Sequence, residues 1–262
     1  MKTATLVALI LAVLLCLSMT ACTTPTPKPA EQPKSTAAPE PTPPTPVPPA
    51  QTTSTGQAES VVKPEVAVTG RNAQEVMNLF KETPWPPASI SAEEKAFLRR
   101  AVVVLETTKG IIKIKVDPDA APIHAANFVK LARDGFYNGV VFHRVIRGFM
   151  SQGGDPTGTG QGGPTPDYTL PAEIKLSHQA GSVAAARTGD QVNPERRSSG
   201  SQFYMCHSRE GCQRLDGAYT VFGQIIQGQD VNLALNVTYN DAGPIPGAQP
   251  DKIIRAWVEM GS

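Results

Sequence analysis

Charged side chains are scarce in this chain. They make up 18% of its 262 residues, and the two signs nearly cancel to a formal net charge of +1. With no basic or acidic surplus to hold a polyanion or an anionic membrane surface, no nucleic-acid partner is expected. Histidine is scarcer still, four in all; His143 and His207 have no partner at metal-ligand spacing, so no metal site is expected. Long apolar runs are missing too. Leu6 to Leu17 covers about twelve residues, and no stretch reaches the roughly 20 that a membrane-spanning helix needs. Gly153 to Gly163 is glycine-rich but lacks the Gly-Lys-Ser/Thr ending and following helix of a phosphate cradle, which makes it a loop. Ser201 has no base and acid at hydrolase-like spacing, which argues against an acyl-transfer triad.

Proline is abundant, at 25 residues, and unevenly spread. Residues 1–21 read as a signal peptide: Met1-Lys2 supplies one positive charge, the apolar run follows, and small residues precede a cysteine. Ser18-Met19-Thr20-Ala21-Cys22 resembles a bacterial lipobox, which implies that Cys22 is lipidated and anchors the protein to the outward face of a membrane in the cell envelope. The alternative is an ordinary cleaved signal with an incidental cysteine. Residues 22–70 carry Pro25, Pro27, Pro29, Pro33 and so on through Pro48-Pro49 among Thr, Ala, Lys and Glu. Such a segment buries too little apolar surface to offset chain entropy and is expected to be a disordered, polyproline-rich spacer. Cys206 and Cys212 remain. They read either as a disulfide closing a tight loop, in a compartment that permits one, or as a buried free Cys206 and an unrelated Cys212.

Residues 71–100 read as a short helical extension packed on the main domain. Val76, Met77, Leu79 and Phe80 keep a helical rhythm, and Ser91 followed by Glu93-Glu94 has the spacing of a helix start. From residue 101 to 262 the period changes to two. Val102–Glu106 and Ile112–Val116 flank Thr107-Thr108-Lys109-Gly110 as a hairpin, with Ile112, Ile114 and Val116 on a buried face and Lys113 and Lys115 on a wet one. Pro122 opens a helix to about Arg133, and a second covers about 228–236. Further strands are expected near 139–146, 149–153, 181–186, 202–206, 219–225 and 253–260. Many short strands with two helices point to a mainly β fold, a closed barrel with helical caps.

Three stretches carry a family resemblance. They are Phe142-His143-Arg144-Val145-Ile146-Arg147-Gly148-Phe149-Met150-Ser151-Gln152-Gly153-Gly154-Asp155, Ser199-Gly200-Ser201-Gln202-Phe203-Tyr204-Met205, and Leu215-Asp216-Gly217-Ala218-Tyr219-Thr220-Val221-Phe222-Gly223. In this order and spacing, with Asn127-Phe128 and Gly135-Phe136-Tyr137, they resemble the active-site strands of cyclophilins over roughly residues 102–260. The resemblance implies a closed eight-stranded antiparallel barrel capped by two α-helices, a monomer, and peptidyl-prolyl cis–trans isomerisation. Rotation about an X–Pro bond breaks amide resonance over a barrier of about 18–20 kcal/mol. No bond is cleaved, so no nucleophile, metal or cofactor is required.

By the same resemblance, Arg144 is the catalytic cation at the prolyl amide. Phe149, Met150, Tyr204 and Leu215 line the proline pocket. Gln152 holds the substrate backbone with Gln202 and the main chain near Ala186 and Arg187, and Tyr219 lends a hydroxyl at the rim. Three departures stand out. Tyr204 occupies a position often filled by Phe and adds a hydroxyl that needs a partner. Arg214 stands where many members have the Trp associated with cyclosporin binding. The loop Thr188-Gly189-Asp190-Gln191-Val192-Asn193-Pro194-Glu195-Arg196-Arg197 is longer than usual and borders the groove. The expected function is isomerisation of proline-containing unfolded or exported polypeptides. The alternative is a proline-peptide-binding or chaperone-like envelope module with weak turnover.

Overall fold

Two strands of alternating polarity open the main domain. In the computed structural model, which describes residues 85–165 and 167–261, β1 (Ala101–Thr107) and β2 (Gly110–Val116) pair antiparallel with Val103 opposite Ile114 and Leu105 opposite Ile112. These side chains are fully buried while Lys115 on the other face is exposed. A period of two with one apolar face dictates that arrangement.

Six further strands complete the main sheet: β3 (Arg144–Ile146), β4 (Met150–Gly153), β6 (Ser182–Ala185), β8 (Phe203–Cys206), β9 (Val221–Gln227) and β12 (Ile253–Met260). Their order is β12-β1-β2-β9-β6-β8-β4-β3, antiparallel throughout. Two small pairs lie outside it, β5 (Thr169–Leu170) with β7 (Ser198–Ser199) and β10 (Tyr239–Asn240) with β11 (Gly243–Pro244).

The eight antiparallel strands match expectation; the closure does not. The sheet curls but keeps two edges, β12 and β3, so the fold is a half-barrel and not the closed barrel expected. The strand expected over 139–146 shrinks to three residues, and before it only an isolated bridge, Val141 to Lys252, ties the two edges. The outer edge of β3 is already occupied: Val145 donates its N–H to Thr238 Oγ1 at 2.8 Å, and Thr238 returns its N–H to the Val145 carbonyl at 3.1 Å. A strand whose backbone groups are spent on a loop has none left to close a ladder.

Four helices lie among the described residues: α1 (Ala92–Leu98), α2 (Pro122–Arg133), α3 (Arg209–Cys212) and α4 (Gln229–Ala234). The expected helix start at Ser91 is a capping box, with Ser91 Oγ accepting from Glu94 N–H and Glu94 accepting from Ser91 N–H. Helix α2 has Pro at its first turn and no side-chain cap of its own. Glu173, some fifty residues downstream, accepts from the N–H groups of Ile123 and His124 at 3.1 and 3.0 Å. That carboxylate satisfies orphan donors and complements the positive helix end. The inner face of α2 seats Phe128 against Tyr137, Phe203 and Phe222, with ring centroids 5.1–5.4 Å apart, at the centre of the core.

The extension packs on this domain through Trp85, whose Nε1–H donates to Asn127 Oδ1 at 2.8 Å; Tyr168 donates its hydroxyl to the same oxygen at 2.7 Å. The signal peptide, Cys22, the spacer and the helical rhythm of residues 73–81 lie outside the described residues.

Candidate active site

The strands that bear the motifs are paired so that one row of side chains crosses four of them. Arg144 on β3 faces Gln152 on β4, Gln152 faces Tyr204 on β8, and Tyr204 faces Ala184 on β6. Residues two positions along join the same face, so Met150, Ala186 and Cys206 belong with them. The opposite residues of the same strands, Val145, Val183, Ala185, Phe203 and Met205, enter the main core under α2. The sheet therefore has two apolar faces. The outer one is covered by a second cluster in which Met150, Ala184, Ala186, Tyr204, Cys206, Cys212 and Val221 are buried and Phe149, Leu215 and Tyr219 are packed at its margin.

A cavity of about 120 Å³ opens at that margin, lined by Arg144, Phe149, Met150, Gln152, Ala186, Arg187, Tyr204, Leu215 and Tyr219. Nine of the ten residues read from the sequence thus meet around one cavity. The tenth, Gln202, stands behind Gln152 and faces a neighbouring cavity of about 550 Å³ that also borders Gln152, Ala186 and Arg187 and runs under the long loop at Thr188, Val192, Asn193 and Arg197. Leu215 and Tyr219 reach the site through a segment whose geometry the sequence pattern did not reveal: α3 runs directly into a 3-10 turn, Gln213–Leu215, which folds across the outer face of β8.

Arg144 has no carboxylate partner among the described residues. Its guanidinium lies 3.5 Å from Gln152 Oε1 and about 6 Å from the ring centres of Phe149 and Tyr239. Burial, reinforced by the nearby Arg214 guanidinium, holds its pKa below the usual arginine range. Arg214 itself is exposed and sits 4.3 Å over the ring of Phe149. Arg187 is turned differently. Its Nε–H donates to the Ala218 carbonyl at 2.8 Å, its Nη1 pairs with Asp190 at 2.7 Å, and it lies 4.5 Å over the Tyr219 ring.

The glutamines link the site to the glycine-rich loop. Gln152 Nε2–H donates to Gln202 Oε1 at 3.0 Å, and Gln202 Nε2–H donates to the carbonyls of Gly160 and Gly162 at 3.0 and 2.8 Å. The loop is held in turn by Asp155, fully buried, which accepts from the N–H groups of Thr157, Gly160 and Gly162 and from the Thr157 hydroxyl. Those donors outweigh burial and hold its pKa down to about 2. The glycines have a steric reason here. A Cβ at Gly162 would run into Asp155 Oδ1, and one at Gly154, with φ +87°, into the Ser201 carbonyl.

The partner that the Tyr204 hydroxyl needs is His178, a residue that motif reading missed. His178 Nε2 lies 2.8 Å from the hydroxyl, its Nδ1 lies 2.8 Å from Asp216 Oδ1, and Arg209 donates to Asp216 Oδ2 at 2.6 Å. The hydrogen bonds from His178 and Arg209 outweigh burial and hold Asp216 well below the usual carboxylate range. Because Asp216 is an acceptor only, Nδ1 carries the proton and Nε2 accepts from the tyrosine. The one signal for this was the extra oxygen at Tyr204, which demanded some donor or acceptor without saying which.

Cys206 and Cys212 are free, buried thiols, so the disulfide reading is not the state of this structure. The Cys212 thiol points at the Phe149 carbonyl, 3.3 Å away, and the Cys206 thiol is pushed up by the neighbouring Cys212 and by burial.

Comparison with known proteins agrees with this fold. The sequence model of the family described as cyclophilin type peptidyl-prolyl cis-trans isomerase/CLD matches residues 102–258. A peptidyl-prolyl cis-trans isomerase of Synechococcus elongatus is 45% identical over 139 residues, 53% of this chain and 89% of its own length. Peptidyl-prolyl cis-trans isomerase B of Bacillus subtilis is 42% identical over 133 residues, 50% and 85% respectively. The crystal structure of a Cryptosporidium parvum cyclophilin superposes with a TM-score of 0.53 at 28% identity, covering 62% of this chain and 98% of that one. A second crystal structure of that protein, in the presence of the dipeptide Ala-Pro, gives a TM-score of 0.51, again at 28% identity, over 60% and 98% of the two chains. The half-barrel, the ordered motifs and the matched profile together place this chain in the cyclophilin family, and it is a peptidyl-prolyl cis–trans isomerase.

Proposed function

We propose that Arg144 is the residue that accelerates the rotation, acting on proline-containing exported polypeptides outside the cytoplasm. The observation that carries this reading is a guanidinium without a carboxylate partner among the described residues, lining a small cavity whose apolar wall is Phe149, Met150 and Leu215. An X–Pro bond in transit through the twisted state loses conjugation, and its nitrogen gains a lone pair that a fixed N–H donor stabilises. A donor that meets the nitrogen only in that state lowers the barrier instead of merely binding the ground state. Phe149, Met150, Tyr204 and Leu215 grip the proline ring, while the Gln152 amide, Gln202 and the main chain near Ala186 and Arg187 hold the flanking chain still so that only one side of the bond turns. The cavity beyond Gln152 has room for side chains next to the proline, and its border on the 188–197 loop supports the view that this loop tunes substrate choice. Arg144→Ala should lower kcat/KM for Ala-Pro peptides by about 10²–10³, the usual worth of one transition-state donor. Equal rates for wild type and variant would remove Arg144 from the mechanism.

The site of action rests on residues 18–22 and the spacer. A lipid on Cys22 would anchor the enzyme at a membrane surface and let it reach chains emerging there. Cys22→Ser should move the protein from the membrane fraction to the soluble fraction of the cells that make it, and an unchanged distribution would exclude this anchor.

A further inference from the structure

At the Phe149 edge of the pocket, two positive charges face no negative one. Arg144 lies 5.9 Å and Arg214 4.3 Å from the centre of the same Phe149 ring. Among the described residues neither makes an ion pair, whereas Arg187 and Arg196 share Asp190 and Arg209 holds Asp216. Asp216, only two residues beyond Arg214, is already bound by Arg209 and His178 and is not available to it. The two guanidiniums are close enough to feel each other, since Arg214 contributes to the lowered pKa of Arg144. Two like charges beside an apolar wall raise a local positive potential that is focused by the low-dielectric surface next to it. Phe149 also fixes where the exposed charge sits, because the ring holds the planar guanidinium by cation–π stacking. Whatever occupies the pocket therefore passes along a rim set to receive a carboxylate.

We infer that Arg214 is a specificity-determining residue that favours substrates with Asp or Glu next to the proline. This rests on the isomerase reading of the pocket and adds a substrate class to it. A side-chain carboxylate one position from the proline would bridge the two guanidiniums in partly solvated surroundings, where a single such pair contributes a few-fold and two together up to about ten-fold. A Lys at that place would be repelled.

The test measures isomerisation rates by exchange NMR on short capped peptides that carry Glu, Ala or Lys on either side of proline. At about 0.01 M salt, where charges interact over ~30 Å, the better Glu peptide should give kcat/KM roughly 3–10 times that of its Ala counterpart, with Lys below Ala. At about 1 M salt, where the range falls to ~3 Å, the ratio should approach one. Arg214→Gln should bring the Glu-to-Ala ratio to less than half its wild-type value, and Arg214→Lys should restore part of it. The ratio is the readout, so a general loss of activity in a variant cancels. A Glu-to-Ala ratio near one at low salt, or a ratio unmoved by Arg214→Gln, would overturn the inference. If no peptide is turned over, the catalytic reading fails instead. The same peptides titrated onto the protein by calorimetry then decide this one: tighter binding of Glu than of Ala supports it, and equal binding ends it.

Discussion

Replacing Tyr204 with phenylalanine removes one oxygen from the wall of the pocket and leaves a nitrogen stranded behind it. His178 is fully buried and Tyr204 is 4% exposed, so no solvent reaches the 2.8 Å bond between them. Asp216 and Arg209 hold the imidazole with its Nδ1–H toward the carboxylate, so the ring cannot turn to offer Nε2 a new donor without breaking that bond. Nε2 then keeps an unpaired lone pair in an apolar setting, and losing one partner of a buried pair costs about 1–3 kcal/mol. In a domain of this size each kcal/mol moves Tm by about 2–4 °C. Thermal unfolding followed by circular dichroism should therefore show Tyr204→Phe melting some 2–12 °C below wild type. His178→Ala in the Tyr204→Phe background should cost less than the same change in wild type, because the shared bond is already gone. Tyr219→Phe, at the partly exposed rim, is the control and should cost under about 0.5 kcal/mol. If Tyr204→Phe melted with wild type, or the two changes added in full, the hydroxyl would not be held in the way argued.

Two further outcomes follow from buried titratable groups. Burial, and to a lesser degree Arg147, lowers the His207 pKa from 6.5 to about 4. The unfolded chain thus binds a proton that the folded one refuses, and the unfolding free energy from urea titrations should fall between pH 6.5 and 4, by on the order of 3 kcal/mol from this group, and level off below. His207→Asn should flatten that slope, and an unchanged profile would rule out His207 as its source. Asp155, with its pKa depressed from 3.8 to about 2, contributes stability that is fully present above about pH 4 and is lost progressively as the pH falls through 2. Asp155→Asn should loosen residues 157–162, seen as faster hydrogen exchange at Gly160 and Gly162, and should raise KM more than it lowers kcat, since the loop holds Gln202 and through it Gln152; protection equal to wild type would show that the loop stands without it.

Much of the site was readable because strands repeat every two residues. Once β3, β4 and β8 are recognised, alternation alone puts Met150 and Gln152 on one face and Ser151 on the other. The ordered motifs do the rest for Phe149, Leu215 and Tyr219. The local helix signals were equally direct: the Ser91–Glu94 box and Pro122 act within one turn, and both appear where expected.

Other features depended on where the chain returns. Glu173 caps a helix begun fifty residues earlier, His178 meets Tyr204 across 26 positions, and Asp155 organises a loop whose glycines then grip Gln202. None of these pairs has a spacing that a linear pattern could single out. The sheet's failure to close belongs with them, because Thr238 spends the edge of β3 from more than ninety residues away. The free state of Cys206 and Cys212 is a matter of local geometry that spacing left open. By itself, then, the sequence determined which side chains share a face, since periodicity is local, and its ordered motifs carried the resemblance to a family of proline isomerases. Tertiary structure alone decided the partners: the histidine behind the tyrosine, the carboxylate under the loop and the unanswered charge at Arg214. Those are set by distances in space that no separation along the chain encodes.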